Sequence, residues 1–501
     1  MAGPRLNRND FSRMWLQEFG AGPANAPSYE GYWKAGAPSW ALGDKTPVYV
    51  PSPDRYGVFD VAGEIIGQRG NPTMSVTAKY LQDTASTLLR LARNGCNHDL
   101  QVHIGECQDP RDFNLGWQKV VVLANARPTT YGITDLGALT PDERATVNED
   151  VPFTGDDLYE ILRIAFAEQA ASQIVQRIVG VVVCDGITCG SCGLPSNGCD
   201  VVFAVTLSAG GSPGLPAEVI FTANGGGSYG ETNVDTLLPS EDPTGLACIG
   251  LNLVVISNGS LSLHYAPIAD ILAGTEVWTE VGTGFVAAKG PLAIFSGAPQ
   301  STWIVGTGGY VYFASDPTAG VTVQNAGIAT AQNLNAIHGI DLLNLVAVGA
   351  SNAVIVTSDG GDTWTPITGP AVGVVLNTVW MQSETEWWIG TAGGKLYYTL
   401  NGGDTWTEKT FTGSGAGQVR DIKFSTQAVG WMAHSTAAPV GRILRTIDGG
   451  YSWYVAPEGN TNIPDNDYVA SLALCEDNPN VIWGGGLAGN AIDGFLVAGR
   501  A

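Results

Sequence analysis

An eight-residue segment that recurs in the C-terminal half of the chain constrains its fold more than any other feature. It reads Thr-Ser-Asp-Gly-Gly-Asp-Thr-Trp at 357–364, Thr-Leu-Asn-Gly-Gly-Asp-Thr-Trp at 399–406 and Thr-Ile-Asp-Gly-Gly-Tyr-Ser-Trp at 446–453. A degraded copy, Thr-Ala-Asn-Gly-Gly-Gly-Ser-Tyr, occupies 222–229. A repeat with a period of about 40–50 residues is typical of architectures built from stacked, similar units.

Two weaker copies lie between the degraded copy at 222–229 and the clear copy at 357–364. Asp316 lies in frame with Thr322, and Asp270 lies in frame with Trp278, so that the acidic or amide positions fall 42 to 47 residues apart along the series. Short β-branched and aromatic runs bounded by Gly, Asn and Ser separate the copies, and such runs are typical of strands. Each unit therefore predicts about four short antiparallel strands, which is the composition of one propeller blade.

The residue types of the segment predict a structural turn. Asp and Thr side chains can hydrogen-bond the backbone of the turn that follows them, and the glycine pair supplies positive φ angles at low steric cost. The terminal Trp is a large apolar group that can pack between blades. We interpret the following residues as turn residues without a catalytic role: Asn224, Gly226, Asp316, Asp359, Gly361, Trp364, Asn401, Gly403, Trp406, Asp448, Gly450 and Trp453.

The pattern Ser/Thr-x-Asp/Asn-x-Gly-x-Thr/Ser-Trp resembles the Asp-box, or BNR repeat, of sialidase-type β-propellers. The resemblance implies a propeller over residues 201–501, with at least six blades. Residues 201–207 are the expected closing strand, which would complete the last blade and give seven blades. If the last strands of the chain instead complete the first copy, the count is six. We favour seven.

A sialidase activity is not expected. Such enzymes clamp a carboxylate with three arginines from separate blades, since a planar bidentate donor is required. Beyond residue 200 the arginines are Arg420, Arg442, Arg445 and Arg500, and they suggest no convergent set. Acid pairs such as Glu384 with Glu386 are expected on a solvated face. We therefore predict no enzymatic activity and no cofactor.

The charge excludes a nucleic-acid-coating protein. The formal net charge is −23, of which −17 falls from residue 200 onward and −6 before it. Such a surface repels phosphates and favours solubility. The sequence contains no apolar run of about 18–20 residues that would predict a membrane-spanning helix, and residues 1–17 lack the apolar core of a signal peptide.

Four of the eight cysteines, Cys184, Cys189, Cys192 and Cys199, cluster near the middle of the chain. Two disulfides within the cluster are the favoured expectation. A structural Zn²⁺ site is one alternative, because the spacing resembles zinc or iron–sulfur arrangements in outline, and free thiols or a redox cluster are the other. Cys248 and Cys475 are interpreted as core residues. Disulfides in a chain without a signal peptide would form mainly after cell lysis, which suits a virus particle.

The first half of the chain contains no copy of the repeat. Residues 1–60, rich in Pro, Gly, Trp and Tyr, predict an extended arm or long loops, and residues 61–185 predict a β-domain. Strands 61–67 and 73–78 are expected to pair with each other, and a short helix is expected from Asp83 to Gly95. Residues 186–200 form a Cys-rich junction. Within 157–183, residues 167–177 favour helix and residues 179–183 favour strand.

Several short segments of this half resemble the major tail, or tail tube, proteins of tailed bacteriophages. The resemblance covers about residues 55–185 and rests on the loop 109–113, Gly116 and Trp117, and the runs 119–126, 135–139 and 147–153. The family implies a small β-sandwich or barrel with a flanking helix, whose copies assemble into stacked rings, usually hexameric, around a channel for DNA. Extra C-terminal domains of that family commonly decorate the outside of the tube.

These features together predict a mainly β structural protein of the virion, located in the tail and made in the host cytoplasm. Its expected partners are other copies of itself, the tape-measure and other tail proteins, DNA that passes through the lumen without specific binding, and host surface glycans. The alternative is a glycan-binding or glycan-hydrolysing propeller protein unrelated to tails. The sequence does not decide between the two, nor whether the tail is contractile.

Overall fold

A computed structural model describes most of the chain in two compact units, Met1–Arg163 and Ile164–Ala501. The described residues are 11–18, 22–34, 39–41, 45–51, 59–69, 72–81, 98–104, 119–129, 132–136, 146–162, 165–169, 178–184, 201–207, 217–234, 236–237, 241–259, 261–298, 301–435, 441–456, 468–475, 478, 480–487 and 494–500.

The first unit is built around one large antiparallel sheet. Its strands run in the order β2-β1-β7-β8-β10-β6-β3, with β11 also paired to β8 and β9 to β10, while β4 and β5 form a separate pair. The strands are β1 (Phe11–Glu18), β2 (Ser28–Lys34), β3 (Ser39–Ala41), β4 (Lys45–Pro51), β5 (Phe59–Arg69), β6 (Thr73–Leu81), β7 (His98–Ile104), β8 (Lys119–Pro128), β9 (Gly132–Leu136), β10 (Thr146–Thr154) and β11 (Asp157–Leu162). A 3₁₀ turn, Gly22–Ala24, follows β1.

Two expectations for this unit are wrong. The described parts of residues 1–60 do not form an arm of loops, because β1 lies between β2 and β7 inside the sheet and Trp15 is buried against His103. The strands β5 and β6 do not pair with each other, since β5 pairs with β4 and β6 pairs with β10. The predicted helix 83–95 lies outside the described residues.

The second unit consists of seven four-stranded antiparallel sheets in the part of the chain that the structure describes. Sheets 1 to 6, called blades 1 to 6, take four consecutive strands each. Blade 1 consists of β13 (Ile178–Val183), β14 (Val202–Thr206), β15 (Glu218–Thr222) and β16 (Gly230–Asn233), and blade 2 consists of β17 (Pro243–Ile249), β18 (Asn252–Ser257), β19 (Ser262–Pro267) and β20 (Thr279–Val281). Blade 3 consists of β21 (Pro291–Ala298), β22 (Ser301–Gly306), β23 (Tyr310–Ala314) and β24 (Thr322–Ala326), and blade 4 consists of β25 (Leu334–Gly339), β26 (Leu345–Gly349), β27 (Ala353–Thr357) and β28 (Thr365–Thr368). Blade 5 consists of β29 (Leu376–Met381), β30 (Trp387–Thr391), β31 (Leu396–Thr399) and β32 (Thr407–Lys409), and blade 6 consists of β33 (Gln418–Phe424), β34 (Gly430–Ser435), β35 (Gly441–Thr446) and β36 (Tyr454–Val455).

Blade 7 closes the ring with a strand from the start of the unit. Its strands β37 (Tyr468–Leu474), β38 (Val481–Leu487) and β39 (Gly494–Arg500) are completed by β12 (Ala165–Gln169), which pairs with β39. The first strand of each blade contacts the first strand of the next, and β37 contacts β13, so the ring is closed. The second unit is therefore a seven-bladed propeller.

The closing strand differs from the expected one. Residues 165–169 close the ring, and the expected segment instead forms β14, the second strand of blade 1. The helix expected over 167–177 begins with the closing strand, so that expectation is wrong for its described part. The boundary between the units falls at Arg163, so that β12 and β13, which we assigned to the 61–185 domain, belong to the propeller.

All seven innermost strands carry a register shift at the same place. The shift follows the first paired residue in five of them, as between Ile178 and Gly180 in blade 1, and the second paired residue in β33 and β37. Such a bulge leaves one residue unpaired within its own blade and increases the local twist. The unpaired residue is then available to the neighbouring blade.

At three interfaces the bulge residue hydrogen-bonds the next blade. Thr244 Oγ1 donates to the Pro291 carbonyl at 3.0 Å, Asn335 Nδ2 to the Leu376 carbonyl at 3.0 Å, and Asn377 Nδ2 to the Val419 carbonyl at 3.0 Å. At two further interfaces the following residue accepts instead. Asp421 Oδ2 accepts the Leu472 N–H at 2.9 Å, and Ser471 Oγ accepts the Val181 N–H at 3.2 Å. These bonds join blades 2 to 3, 4 to 5, 5 to 6, 6 to 7 and 7 to 1 near the propeller axis.

The interface between blades 1 and 2 has a covalent link instead. Gly180, directly after the bulge residue, meets the apolar Leu246, and Cys184, directly after β13, forms a disulfide with Cys248 on β17. The pairing expected within the cysteine cluster is therefore wrong for Cys184, and Cys248 is half of a disulfide. Cys475 is also disulfide-bonded. Cys189, Cys192 and Cys199 lie outside the described residues.

Replacing Cys248 by Ser should destabilise the propeller. The Cys184–Cys248 bond closes a loop of 64 residues, and restricting such a loop in the unfolded chain is worth about 4 kcal/mol. We expect a lower midpoint of thermal unfolding for Cys248→Ser, and a similar decrease for Cys184→Ser and for the double variant. Equal midpoints for wild type and double variant would contradict the stabilising role of this bond.

Candidate functional site

The three clear copies of the repeat and the degraded copy at 222–229 form the same turn, between the third and fourth strands of blades 4, 5, 6 and 1. We call residues 222–229, 357–364, 399–406 and 446–453 the box turns. In blade 4, Thr357 Oγ1 donates to Asp359 Oδ1 at 2.7 Å and accepts the Gly361 N–H at 2.9 Å. Asp359 in turn accepts the Thr363 N–H at 3.0 Å and the Thr363 hydroxyl at 2.6 Å.

The other three turns repeat this network almost atom for atom. In blade 6, Asp448 bonds Thr446 and Ser452 as Asp359 bonds Thr357 and Thr363. Asn401 and Asn224 keep the acceptor bonds and use the amide nitrogen to donate to the later hydroxyl at 2.9 Å. Because these bonds use both side-chain oxygens of each Asp, the network itself accounts for the choice of Asp or Asn.

The second glycine of the box turns in blades 4, 5 and 6 lies against the preceding blade. Gly361 has φ +85°, and a Cβ there would come within 2.3 Å of Trp303 on β22. A Cβ on Gly450, at φ +86°, would come within 2.2 Å of Trp388 on β30. Gly403 meets Ile367 of blade 4 in the same way. Glycine is therefore required by contact as well as by backbone angle.

The terminal aromatic residue of each turn also packs on the preceding blade. Trp364 lies edge-on to Trp303 at 6.0 Å, and Trp453 lies edge-on to Trp388 at 5.9 Å. Trp406 donates its indole N–H to the Thr368 carbonyl of blade 4 at 2.9 Å. Tyr229 packs against a cluster that contains Trp483 of blade 7. The box turns thus connect neighbouring blades at the outer part of the ring.

A further bond of these turns has no signature in the sequence. The first glycine N–H donates to the hairpin that joins strands one and two of the same blade: Gly360 to the Leu343 carbonyl at 3.1 Å, Gly402 to Thr385 at 2.9 Å and Gly449 to Ala428 at 2.9 Å. Because the acceptors are backbone atoms, no side-chain pattern could have revealed them.

Blades 2 and 3 replace the box turn by other structures. Asp270 lies in the short helix α1 (Ile268–Ala273), although Trp278 is still buried in a cluster shared with blade 1. Asp316 accepts the N–H and the hydroxyl of Thr318, at 2.9 Å and 2.7 Å, and bonds no residue at the position of Thr322. Asp316 is therefore a turn residue of a different local type.

The carboxylates of two box turns have pKa values shifted in opposite directions, although the turns share the same hydrogen bonds. Asp359 is exposed, and hydrogen bonds from Thr363 and Thr357 lower its pKa to about 2. Asp448 is 1% exposed, and burial raises its pKa. The difference comes from the surroundings of the turn, because the bonds to the two carboxylates are the same.

Replacing Thr357 by Val should destabilise the propeller by about 1–3 kcal/mol, since the buried Gly361 N–H would lose its acceptor. The matched control is Thr363→Val on the same turn, where the hydroxyl is exposed and the loss should stay below about 1 kcal/mol. Chemical denaturation of both variants measures the two values. Equal effects at the two positions would show that the inner hydroxyl is not the essential one.

A row of side chains crosses the innermost strands of four consecutive blades. Phe295 on β21 lies 5.1 Å from His338 on β25, His338 stacks at 3.9 Å on Trp380 of β29, and Lys423 Nζ of β33 lies 5.7 Å from the Trp380 ring. Each of the four is partly exposed. Lys423 Nζ also lies 3.8 Å from Asp421, whose carboxylate bonds blade 7.

The His338 ring is neutral in this row. Its Nδ1 accepts the Met381 N–H at 3.1 Å, which leaves the proton on Nε2, and burial together with the nearby Lys423 charge lowers the pKa of His338 to about 3. His264 is held between the hydroxyls of Thr236 and Ser262, and burial lowers its pKa to about 4. These histidines are therefore structural residues of the blades.

The arginines of the propeller do not converge on a carboxylate clamp in the described part. Arg420 lies 3.9 Å over the Tyr468 ring, and Arg445, which is buried, lies 4.5 Å over the Trp431 ring. The Arg420 guanidinium therefore packs on an aromatic ring of blade 7, and the Arg445 guanidinium packs on an aromatic ring of its own blade 6. No three His, Cys, Asp or Glu side chains of the described residues come together as a metal site.

Glu386 is an acid whose burial has no signal in the local sequence. The solvated face expected for Glu384 and Glu386 is wrong for Glu386, which is 4% exposed, while Glu384 is exposed. Glu386 lies opposite Gln382 in the first hairpin of blade 5, and neither Glu386 Oε1 nor Gln382 Oε1 has a hydrogen-bond partner. Burial raises the pKa of Glu386 to about 7.

Glu386→Gln should change the pH dependence of stability. Because the folded pKa is raised above the unfolded value near 4.5, wild type binds its proton more tightly when folded, so its stability falls as pH rises from about 4.5 to 7. The variant lacks this loss, and its advantage over wild type should grow by about 2–3 kcal/mol between pH 5 and 8. Unfolding titrations at the two pH values measure it. Glu384→Gln is the matched control, and a parallel shift in both variants would contradict the assignment to Glu386.

Comparison with known proteins supports the propeller fold and identifies no function. The second unit resembles solved propellers: YCF48 from Cyanidioschyzon merolae (TM-score 0.49, 14% identity, covering 67% of this chain and 98% of that one), YCF48 bound to D1 peptide (0.50, 12%, 68% and 96%) and the WD40 repeats of RRP9 (0.49, 9%, 67% and 97%). No protein-family model and no curated protein matches the chain. Among the described residues, no helix is long and apolar enough to span a membrane. At such identities the likeness shows the fold alone: the chain carries a mainly β, propeller-containing architecture.

Proposed function

We propose that the chain is a structural protein of a bacteriophage tail. In this proposal the first unit assembles into stacked rings that form the tail tube, DNA passes through the lumen without specific binding, and the propeller decorates the outside, where it adheres to host surface glycans. The chain has no catalytic role. The tape-measure and other tail proteins are its further partners.

The observation that carries the proposal is the way the propeller is attached. The chain leaves the first unit at Arg163 and immediately forms β12, the outermost strand of blade 7. β12 pairs with β39 at the other end of the unit, Ala165 opposite Arg500. The propeller thus closes on its own strands and takes none from the first unit, as suits a domain appended to an assembling module.

The chemistry of the propeller supports a binding or decorating role. Its box carboxylates are committed to turn hydrogen bonds, and Arg420 and Arg445 of blade 6 lie over aromatic rings. The long sheet of the first unit, with β2 and β3 at its ends, supports an assembling module, since unpaired edge strands are templates for pairing with another chain.

Electron microscopy of the purified full chain tests the proposal. We expect rings or helical tubes with regular outward projections. A small metal-binding tag inserted at Gly373, which lies at an exposed turn where an added Cβ meets nothing within 4 Å, should place gold particles on the projections. A strictly monomeric protein, or gold inside the tube wall, would overturn the arrangement.

The adhesion part is tested separately on a glycan array with the same sample. Binding to one class of saccharide without release of sugar is the expected result. An array without binding removes the adhesion and leaves the tube intact as a proposal. Release of sugar would favour the alternative of a glycan-hydrolysing propeller.

A further inference from the structure

The row that crosses the innermost strands of blades 3 to 6 occupies one equivalent position in each blade, three residues after the bulge residue. We call its four members the axial row: Phe295, His338, Trp380 and Lys423. In blades 7, 1 and 2 the same position is taken by small aliphatic residues, Ala473, Val182 and Ala247. Because the blades of a propeller surround a central channel, this level of the channel is aromatic and cationic on one side and aliphatic on the other.

The three polar members of the axial row carry N–H groups that have no acceptor. His338 uses Nδ1 to accept the Met381 N–H, so its Nε2 carries the proton. Within the described part of the chain, no atom accepts a hydrogen bond from His338 Nε2, from the Trp380 indole nitrogen or from Lys423 Nζ. Both ring nitrogens touch solvent, whereas the indole nitrogens of Trp303 and Trp388 are buried. The row therefore presents donors to the channel.

The charge of the axial row is positive and only partly offset. Lys423 Nζ lies 3.8 Å from the Asp421 carboxylate, which is beyond hydrogen-bond distance. That carboxylate already accepts the backbone N–H groups of Ile422 and Leu472, each at 2.9 Å. Burial and, second to it, the Lys423 charge lower the pKa of His338, so the positive potential extends along the row. The row is thus a place where an anion can enter a propeller whose charge is −17 from residue 200 onward.

The chemistry of these groups favours a carboxylate on a body that is not aromatic. A carboxylate accepts hydrogen bonds and donates none, and its bonds from a charged donor such as Lys are the stronger kind. The Trp380 ring packs on His338 of blade 4 at 3.9 Å and lies 5.7 Å from Lys423 of blade 6, so it is already covered from both adjacent blades. A planar aromatic ligand could not stack on it. Sugar hydroxyls can accept from neutral N–H donors, and sugar C–H groups suit Phe295 and the aliphatic side of the channel.

We propose that the axial row binds an acidic saccharide. Lys423 pairs with the carboxylate, while His338 Nε2–H and Trp380 Nε1–H donate to carboxylate or hydroxyl oxygens. Phe295 contacts the C–H groups of the sugar. The site rests on the proposed function, because it specifies the class of host glycan to which the propeller adheres.

Ligand-observed NMR titration of the full chain tests the site. The probes are methyl glucuronide and the methyl glycoside of N-acetylneuraminic acid, and methyl glucoside is the neutral control. Methyl glucuronide and methyl glucoside differ only in a carboxylate that replaces a hydroxymethyl group. We expect at least one acidic probe to bind, and methyl glucoside to bind about tenfold more weakly or not at all, since it lacks the charge that Lys423 recognises.

Two variants assign the binding to the axial row. Lys423→Met should weaken binding of the acidic probe about tenfold or more, and Trp380→Phe, which keeps a ring against His338 and removes only the N–H, about fivefold. Lys289→Met is the matched control and should leave the affinity unchanged, because Lys289 precedes the innermost strand of blade 3 and lies over Tyr310. Thermal unfolding of each variant shows that it is folded.

The following results would each overturn the site: no binding of either acidic probe, equal binding of glucuronide and glucoside, or an unchanged affinity in both axial-row variants. N-acetylglycine, which imitates a peptide carboxylate, should not bind as tightly as the acidic sugar, and equal affinity would overturn the saccharide assignment. Neutral glycans bound on the array without the acidic probes would preserve the adhesion and remove this site. Micrographs of the same samples record whether tubes form, independently of both.

Discussion

The pairing of β12 with β39 is the constraint on which the propeller depends. The last three strands of the unit lack a fourth, outermost partner of their own, and here that strand, β12, comes from the opposite end of the unit. The ends of the unit are thereby held in one sheet, so opening blade 7 would break strand pairing as well as blade packing. Toward the axis, the bulge residues and Asp421 and Ser471 join most interfaces by hydrogen bonds, and the Cys184–Cys248 bond joins blades 1 and 2.

The box turns act at a different radius from these axial bonds. Their side-chain network fixes the turn within one blade, while the second glycine and the terminal Trp or Tyr contact the blade before it. The interfaces between blades 4 and 5, 5 and 6, and 7 and 1 are therefore supported near the axis by hydrogen bonds to the backbone and farther out by aromatic packing. Blade 2 shows that the two functions are separable, because helix α1 replaces the turn while Trp278 remains buried against blade 1.

The repeated blades could be predicted from the sequence, but the strand that closes the ring could not. The spacing of Asp359, Asn401 and Asp448 requires similar units, because a turn with this bonding has a side-chain signature. The bulges have no such signature in the sequence. Thr244, Asn335 and Asn377 all hydrogen-bond the next blade from the bulge position, whereas the apolar Val179 and Leu292 occupy the same position and cannot. The closing strand was misassigned because residues 165–177 are rich in Ala, Glu and Gln, which favour helix locally, whereas pairing with β39 imposes an extended backbone. Glu386 was missed because burial depends on the packing of blades 5 and 6, which no local pattern encodes.

The distribution of charge links the turn chemistry to the behaviour of the whole propeller. A box turn needs an Asp or Asn, and it lies between strands three and four, so every copy that uses Asp adds a carboxylate to the same face. The acids Asp362 and Asp404 in these turns add to that face without joining the network. A repeat that stabilises each blade thus also concentrates carboxylates at the turns between strands three and four. In a chain with a net charge of −23, these carboxylates add to the repulsion of any anionic molecule that approaches the turns.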